Sequence, residues 1–372
     1  MTPHRAGLLP EDWVARGQSL EVGRKVLAAA MRGDADLQTI RGVKKTVLAQ
    51  IAAESTAAPL QVARREVAAD GFVKYLFDLG VEAVRIPVPC EAPGADLSAF
   101  EGKEKKYIVC VSSQVGCALA CSFCATGELG FKRNLTAAEI VGQVLAVRED
   151  GRREASLPDG PEPKAKTLEV RPVRGVVFMG MGEPFLNYDN VIQAARILCH
   201  PSGGSIDAKS ITLSTAGIVP QIRRFTAERH KFRLAVSLTH AVAKKRLPLM
   251  PIEGVHPTAD LVAALHDHAR ARRTRVLVEY VLLGGVNDAP EDARALASLL
   301  DRTLVKVDLI DINGDVGGYR RSTPGARSAF LDALAQARMP FAIRYSGGQD
   351  VAAGCGQLAA GRQAGSCGAR LL

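Results

Sequence analysis

Cys117, Cys121 and Cys124 fall within eight consecutive residues in the pattern C-x3-C-x2-C. Eight cysteines in a chain of 372 residues do not make a disulfide framework, and three of them this close point to metal or redox chemistry. Three thiolates can hold three irons of a four-iron cluster, which leaves the fourth iron without a cysteine. An open iron accepts an exogenous ligand, so the spacing suits catalysis better than electron storage. S-adenosylmethionine can chelate such an iron through its amino and carboxylate groups. Electron transfer into its sulfonium then breaks a C–S bond and yields a carbon radical. A second reading is structural zinc, because Cys110 lies seven residues upstream and could be a fourth thiolate. Cys110, however, sits inside an apolar run that reads as a strand. Phe123, between the second and third cysteines, suits packing against a cluster better than a zinc knuckle turn.

The cysteines follow the apolar run 107–113, and similar β-branched runs recur at 175–180, 211–215, 233–238, 275–283 and 304–312. Such short continuous runs are expected of buried parallel strands. Helical stretches lie between them at 136–147, 190–198, 258–269 and 292–300. The first begins with a capping box, Thr136 and Glu139, and carries Ile140, Val141, Val144 and Leu145 on one face. This alternation predicts a parallel sheet with right-handed crossovers. Six strands suit a partial (βα)6 barrel, with an open doubly wound sheet as the alternative. Residues 340–345 offer a further edge strand. The cysteines then lie at the C-terminal edge of the sheet, where α/β folds place their sites. Residues 8–66 read as helical, and 72–79 and 82–88 as strands of a small sheet. The expected organisation is an N-terminal α+β accessory domain and linker (1–104), a barrel (105–350) with an exposed charged insertion at 148–174, and a C-terminal segment (351–372).

The net charge of +9 favours an anionic partner. It is uneven: residues 1–106 carry 15 Lys and Arg against 14 Asp and Glu, whereas 316–372 carry 7 Arg against 2 Asp. An anion is therefore expected to meet the C-terminal part, with a solvated basic surface as the plainer reading. No run of eighteen apolar residues occurs and the N-terminus MTPHRAGLLPEDW lacks an apolar stretch. Neither a membrane span nor a secretory signal is expected, and the chain is read as cytoplasmic.

The longer string CVSSQVGCALACSFCATGELGFKRNL (110–135) resembles the radical-SAM RNA adenosine methyltransferases of the RlmN/Cfr type. GMGEP (180–184), ITLSTAGIVP (211–220), LAVSL (234–238), LMPI (249–252), EYVLLGGVND (279–288) and AGCGQLA (353–359) match the same family in order. The resemblance runs from about Glu82 to Ala359. It implies a radical-SAM partial barrel holding one 4Fe-4S cluster on Cys117, Cys121 and Cys124, together with S-adenosylmethionine. Gly182, Glu183, Ser214, Ser237, Leu238, Thr239 and Asn313 match its cofactor contacts. SLTHA (237–241) has one residue more than the family's SLHA, so either Thr239 or His240 takes the histidine's place. Asn287 reads as a turn residue. Cys90, Cys199 and Cys367 match nothing and are read as incidental thiols.

The resemblance also implies a reaction. C2 of adenine is electron-poor and does not attack a sulfonium methyl as an amine would, but a carbon radical adds there. Cys355 matches the cysteine that first takes a methyl from one S-adenosylmethionine. A 5′-deoxyadenosyl radical from a second then abstracts hydrogen from that methyl, and the thiomethylene radical adds to adenine. Glu82 matches the proton acceptor. Cys110 matches the resolving cysteine, which frees the product by a transient disulfide with Cys355. The implied partners are rRNA or tRNA and an electron donor such as flavodoxin or ferredoxin. Loops of folded RNA present unstacked bases most readily. Arg320, Arg321, Arg327 and Arg344 are the candidate phosphate contacts. The competing expectations are methylation at C8, the same radical chemistry on a non-RNA substrate, and a zinc-bearing RNA-binding protein without catalysis.

Overall fold

The computed structural model of the protein describes residues 2–88, 106–155, 173–314 and 316–359. Its strands, in chain order, are β1 (Val62–Val67), β2 (Val73–Phe77), β3 (Val81–Val88), β4 (Lys106–Cys110), β5 (Gln114–Gly116), β6 (Phe131–Asn134), β7 (Val173–Phe178), β8 (Ile211–Thr215), β9 (Arg233–Ser237), β10 (Val276–Leu282), β11 (Val305–Asp311) and β12 (Phe341–Arg344). Ten of these form one sheet in the order β1-β2-β3-β4-β7-β8-β9-β10-β11-β12. From β4 onward every pairing is parallel. The intervening helices cross over between the strands, so all the parallel strands end at one edge. The expected partial barrel is thus present, and 340–345 does supply its last strand.

The strands are buried as their apolar runs require. Every residue of β8 is buried, as are Val278, Glu279 and Tyr280 at the centre of β10. The helix Ala137–Ala155 starts at the expected capping box, where Thr136 Oγ1 accepts from Glu139 N at 3.2 Å and Glu139 Oε2 accepts from Thr136 N at 2.8 Å. Its buried face carries Ile140, Val141, Val144 and Val147.

Four features differ from the sequence reading. Residues 62–67 are strand, not helix: they form an exposed to half-buried edge strand that pairs with β2. The strands 73–77 and 81–88 do not stand apart as a small sheet, because β3 pairs with β4 and extends the barrel sheet. The helix from Ala137 runs two turns beyond 147 into the supposed insertion. Its charged residues reach back to the sheet there, with Tyr75 donating to Asp150 Oδ2 at 2.6 Å and Arg85 gripping Glu154 at 2.8 and 2.9 Å. The last two residues of the insertion, 173 and 174, open β7, while residues 156–172, the linker 89–104 and the tail beyond 359 lie outside the described residues. Finally, β5 and β6 form an unanticipated antiparallel ribbon around the cysteine loop.

The N-terminal helices Leu20–Arg32 and Lys45–Glu54 enclose their own core of Trp13, Val26, Ala29, Leu37, Ile40, Leu48 and Ile51. Among the described residues no helix is long and apolar enough to cross a membrane.

The ends of β8 and β9 are tied by one buried cation. Arg246 donates to Leu238 O at 3.1 Å, Ala216 O at 2.9 Å and Glu253 Oε2 at 2.6 Å. Removing one member of a buried pair strands the other charge. Arg246→Ala is therefore expected to cost about 3–5 kcal/mol in urea unfolding; a loss below about 1 kcal/mol would show that these strand ends are held by other means.

Candidate active site

The C-terminal ends of β7 to β11 open onto a cavity of about 160 Å³. Its walls include Cys117, Cys121, Phe123, Cys124, Gly182, Glu183, Ser214, Ser237, Glu279 and Cys355. The cysteine loop leaves β4 and is closed at its base by the β5–β6 ribbon. Close approach there requires glycine: a Cβ on Gly116, at φ +73°, would lie 1.7 Å from Gly130 O. The loop is also held from outside. Ser122 N donates to Leu249 O at 3.0 Å, and the hydroxyls of Ser122 and Tyr319 share a 2.8 Å hydrogen bond.

The segment after β12 returns against this loop. Ala125 N donates to Gly356 O at 2.8 Å and Thr126 Oγ1 to Leu358 O at 2.6 Å. Cys355 is thereby set in the cavity wall, its N–H donating to Ser346 Oγ at 2.9 Å. A Cβ on Gly354 would come within 2.6 Å of the side chains of Asn313 and Gln357. Behind Cys355 stands Cys110 at the end of β4. Burial and the neighbouring Cys355 push the Cys110 thiol up to about 12. Cys110 and Cys355 are both free thiols. The same segment touches Glu82, which is buried: its Oε2 accepts from Ala359 N at 2.9 Å, and Lys74 Nζ lies 3.8 Å from Oε1.

Burial also raises the loop thiols, Cys117 to about 11 and Cys121 further still. They stay protonated until a cation takes the proton's place. Among the described residues, no three His, Cys, Asp or Glu side chains are gathered so as to hold one metal ion. A four-iron cluster spreads three cysteines over three irons, whereas zinc draws four donors to about 2.0–2.3 Å of one point. Cys110 has Cys355, Glu279 and Arg344 as its charged neighbours, not the loop cysteines. Three loop thiols line the cavity and Cys110 does not join them, a donor number that suits three irons of a cluster better than the four donors of structural zinc.

Opposite the cysteines, Gly182 has φ +95°, and a Cβ there would meet Gln114 at 2.5 Å. Glu183 follows, fully enclosed, its carboxylate accepting from Phe185 N at 2.9 Å and Ala216 N at 2.8 Å. Burial outweighs these bonds and raises its pKa to about 7. Ser214 and Ser237 donate to Glu279 Oε2 at 2.7 and 3.2 Å. Four of the expected cofactor contacts, Gly182, Glu183, Ser214 and Ser237, thus share one cavity with the cysteines. Leu238, Thr239 and Asn313 are buried but are not among its lining residues. The extra residue of SLTHA is absorbed in a tight turn, with Thr239 at φ +56° and His240 N donating to Leu238 O at 2.6 Å. The Thr239 hydroxyl is buried and has no hydrogen-bond partner among the described residues. His240 turns toward Asp292, with Nε2 3.5 Å from Oδ1.

Other expectations change. Asn287 lies in a turn but is fully buried, donating to Thr239 O and Val281 O and accepting from Leu283 N. Arg344 is not free for phosphate: it pairs with Asp308 at 2.6 Å and lies 3.6 Å from Glu279. Arg321 holds Ile312 O and Asn313, and Arg327 pairs with Asp311 at 3.3 Å. Arg320 is exposed. Cys199 ends a helix and bonds Arg196 O, away from the cavity; Cys90 and Cys367 lie outside the described residues. Gln114 and Glu279 went unnoticed in the sequence. Glu279 did leave a signal, a lone acid in the apolar run of β10.

The chain matches the family model described as the Radical SAM superfamily over residues 111–297. It is 46% identical to a "Probable RNA methyltransferase" of Myxococcus xanthus, over 92% of this chain and 89% of that protein. It is 42% identical to a "Dual-specificity RNA methyltransferase RlmN" of Syntrophobacter fumaroxidans, over 81% of this chain and 80% of that one. Among solved structures, a radical SAM methyltransferase from Sphaerobacter thermophilus superposes with a TM-score of 0.79 at 34% identity, covering 96% of this chain and 99% of that one.

Glu183 gives the metal-free fold a pH dependence of known sign. Its folded pKa of about 7 lies above its ordinary 4.5, so the folded state binds protons more tightly than the unfolded chain. Its contribution is complete below about pH 4.5 and is lost as pH rises through about 7, a fall of about 3 kcal/mol. Urea unfolding at stepped pH should show this decline, and Glu183→Gln should flatten it. Equal slopes in the two proteins would mean that Glu183 ionises as freely in the fold as in water.

Proposed function

The chain belongs to the radical SAM superfamily and within it to the RNA methyltransferases of the RlmN/Cfr type, and from that premise we propose that it methylates C2 of an adenosine in rRNA or tRNA by way of an S-methylcysteine. That it is an S-adenosylmethionine-dependent methyltransferase follows from the family. The finer reading is carried by one observation: Cys355 shares a single cavity wall with the three loop cysteines, Glu183, Ser214 and Ser237.

Cys117, Cys121 and Cys124 would hold a 4Fe-4S cluster, and Gly182, Glu183, Ser214, Ser237, Leu238, Thr239 and Asn313 would receive S-adenosylmethionine. Together these groups supply a transferable methyl and a carbon-centred radical. The protein's own contributions are separate. Gly182 keeps the wall free of a side chain. The Glu183 carboxylate offers a buried counter-charge to an ammonium, and a bound cation would draw its pKa down from about 7. Glu279 accepts from both serine hydroxyls and so fixes their direction. Cys355 carries the methyl on Sγ, and Cys110 behind it closes a disulfide with Cys355 as the product leaves. Glu82 receives the proton. Its hydrogen bond from Ala359, four residues past Cys355, ties it to the methyl carrier's segment. Residues 1–104 would serve as the accessory RNA-binding domain, 105–350 as the barrel and 351–372 as the carrier segment. Flavodoxin or ferredoxin would supply the electron.

The test uses anaerobically reconstituted protein, S-adenosylmethionine, a reductant and total RNA from a strain lacking the gene. Mass spectrometry of the digested RNA should reveal new 2-methyladenosine. Cys355→Ala should abolish it, and Cys110→Ala should leave RNA attached to Cys355. Appearance of 8-methyladenosine instead would overturn the position assigned, and undiminished product with Cys355→Ala would overturn the carrier.

A further inference from the structure

Parallel strands that end together also begin together, and the face where they begin is strongly basic. Arg229, Lys231, Arg273, Arg275 and Arg302 occupy the turns that lead into β9, β10 and β11, and Arg233 opens β9. All six are exposed, and among the described residues none makes an ion pair. The carboxylates nearby are already engaged. Glu228 accepts from Tyr188, Arg224 and His230; Asp267 lies 3.5 Å from Arg270; Asp301 accepts from Thr303.

A second observation is conformational. Three residues at helix-to-strand turns on this face have left-handed backbone: Arg229 at φ +57°, Arg273 at φ +51° and Arg338 at φ +55°. Glycine is the residue such positions favour. Each instead carries arginine. A cation at a helix C-terminus is favourable, but only three helix ends need one, and the row continues through Lys231, Arg233, Arg275 and Arg302.

We infer that this face is a second RNA contact, which grips the phosphodiester backbone at a distance from the target adenine. This rests on the reading of RNA as the substrate. From β9 to β12 the row crosses four adjacent strands, about 15 Å at ~4.8 Å per strand, wider than one phosphate and suited to a run of them. Arginine predominates, and its planar fork matches phosphate oxygens. Protein interfaces have an apolar or aromatic core, whereas none of the exposed large apolar side chains lies in the turns leading into β8, β9, β10 or β11. That disfavours an acidic protein as the occupant. The two faces are separated by strands of five to seven residues, about 20 Å, which a folded RNA spans. Contacts of this kind add affinity without reading sequence.

The test measures binding of unfractionated tRNA and rRNA fragments to the reconstituted full chain by fluorescence anisotropy across a salt series. One variant, Arg229→Gly with Arg273→Gly and Arg338→Gly, removes three charges while giving each left-handed position the residue it favours, so the fold is kept. A second, Lys231→Glu with Arg233→Glu and Arg302→Glu, reverses charge outside those positions. The glycine variant should bind RNA about tenfold more weakly near physiological salt, and its plot of log affinity against log salt should be shallower by about two to three. A purely structural role would shift the melting temperature and leave that slope alone. Unchanged affinity and slope in both variants, with wild type still methylating RNA, overturns the inference and leaves the RNA reading standing. Unchanged RNA binding with lost reduction by a flavodoxin assigns the face to an acidic protein and also overturns it. Wild type that neither binds nor methylates RNA removes the reading and the inference together.

Discussion

The site depends on a short stretch of hydrogen bonding between segments more than two hundred residues apart. Ala125 N on Gly356 O and Thr126 Oγ1 on Leu358 O lay the carrier segment against the cysteine loop. Each such bond contributes only about 1 kcal/mol net, so the placement rests on several acting together. Cys355 N on Ser346, Asn313 Nδ2 on the same hydroxyl at 2.6 Å, and Ala359 N on Glu82 complete the set. Gly354 permits it, since any side chain there would collide with Asn313 and Gln357. The proton acceptor proposed for the reaction is thus also an anchor of the methyl carrier, and its two roles share one carboxylate.

The cavity's electrostatics follow from burial. The thiols of Cys110, Cys117 and Cys121 and the carboxyl of Glu183 are all shifted toward their neutral forms. Groups shifted in this way carry little charge by themselves and gain it when cations arrive. Irons would draw protons from the thiols, and an ammonium would draw one from Glu183. Glu279 is handled differently, since two serine hydroxyls and the guanidinium of Arg344 surround it. Glu279 is thus charge-compensated from within, whereas Glu183, on the proposed reading, would be compensated by its ligand.

Much of this was legible because it is local. The C-x3-C-x2-C spacing, the glycine before Glu183 and the β-branched runs are each set by a few neighbouring residues, and the partial barrel follows from their alternation. What escaped is set by distant partners. Residues 62–67 are strand because β2 lies beside them, and 148–155 remain helical because Tyr75, Arg65 and Arg85 wait on the sheet for Asp150 and Glu154. Arg344 looked like a phosphate ligand because Asp308, its partner, is on another strand. Asn287 looked like an ordinary turn residue because nothing in VND shows that the turn is folded inward.

Parallel topology gives the molecule two ends with opposite tasks. At the strand C-termini, close approach and burial push the thiols of Cys117 and Cys121 and the carboxyl of Glu183 toward their neutral forms around a small cavity, which suits cationic ligands. At the strand N-termini the helices finish with negative dipole ends, and the chain meets them with arginine. Three of those arginines stand where backbone geometry favours glycine, while further cations follow in the turns after the helix ends. Local helix stability accounts for the first group and leaves the second unexplained. A long polyanion accounts for both, because phosphates would meet the capping arginines and their neighbours as one surface. Chemistry at one edge and charge at the other would let affinity for RNA change without disturbing the geometry around Cys355.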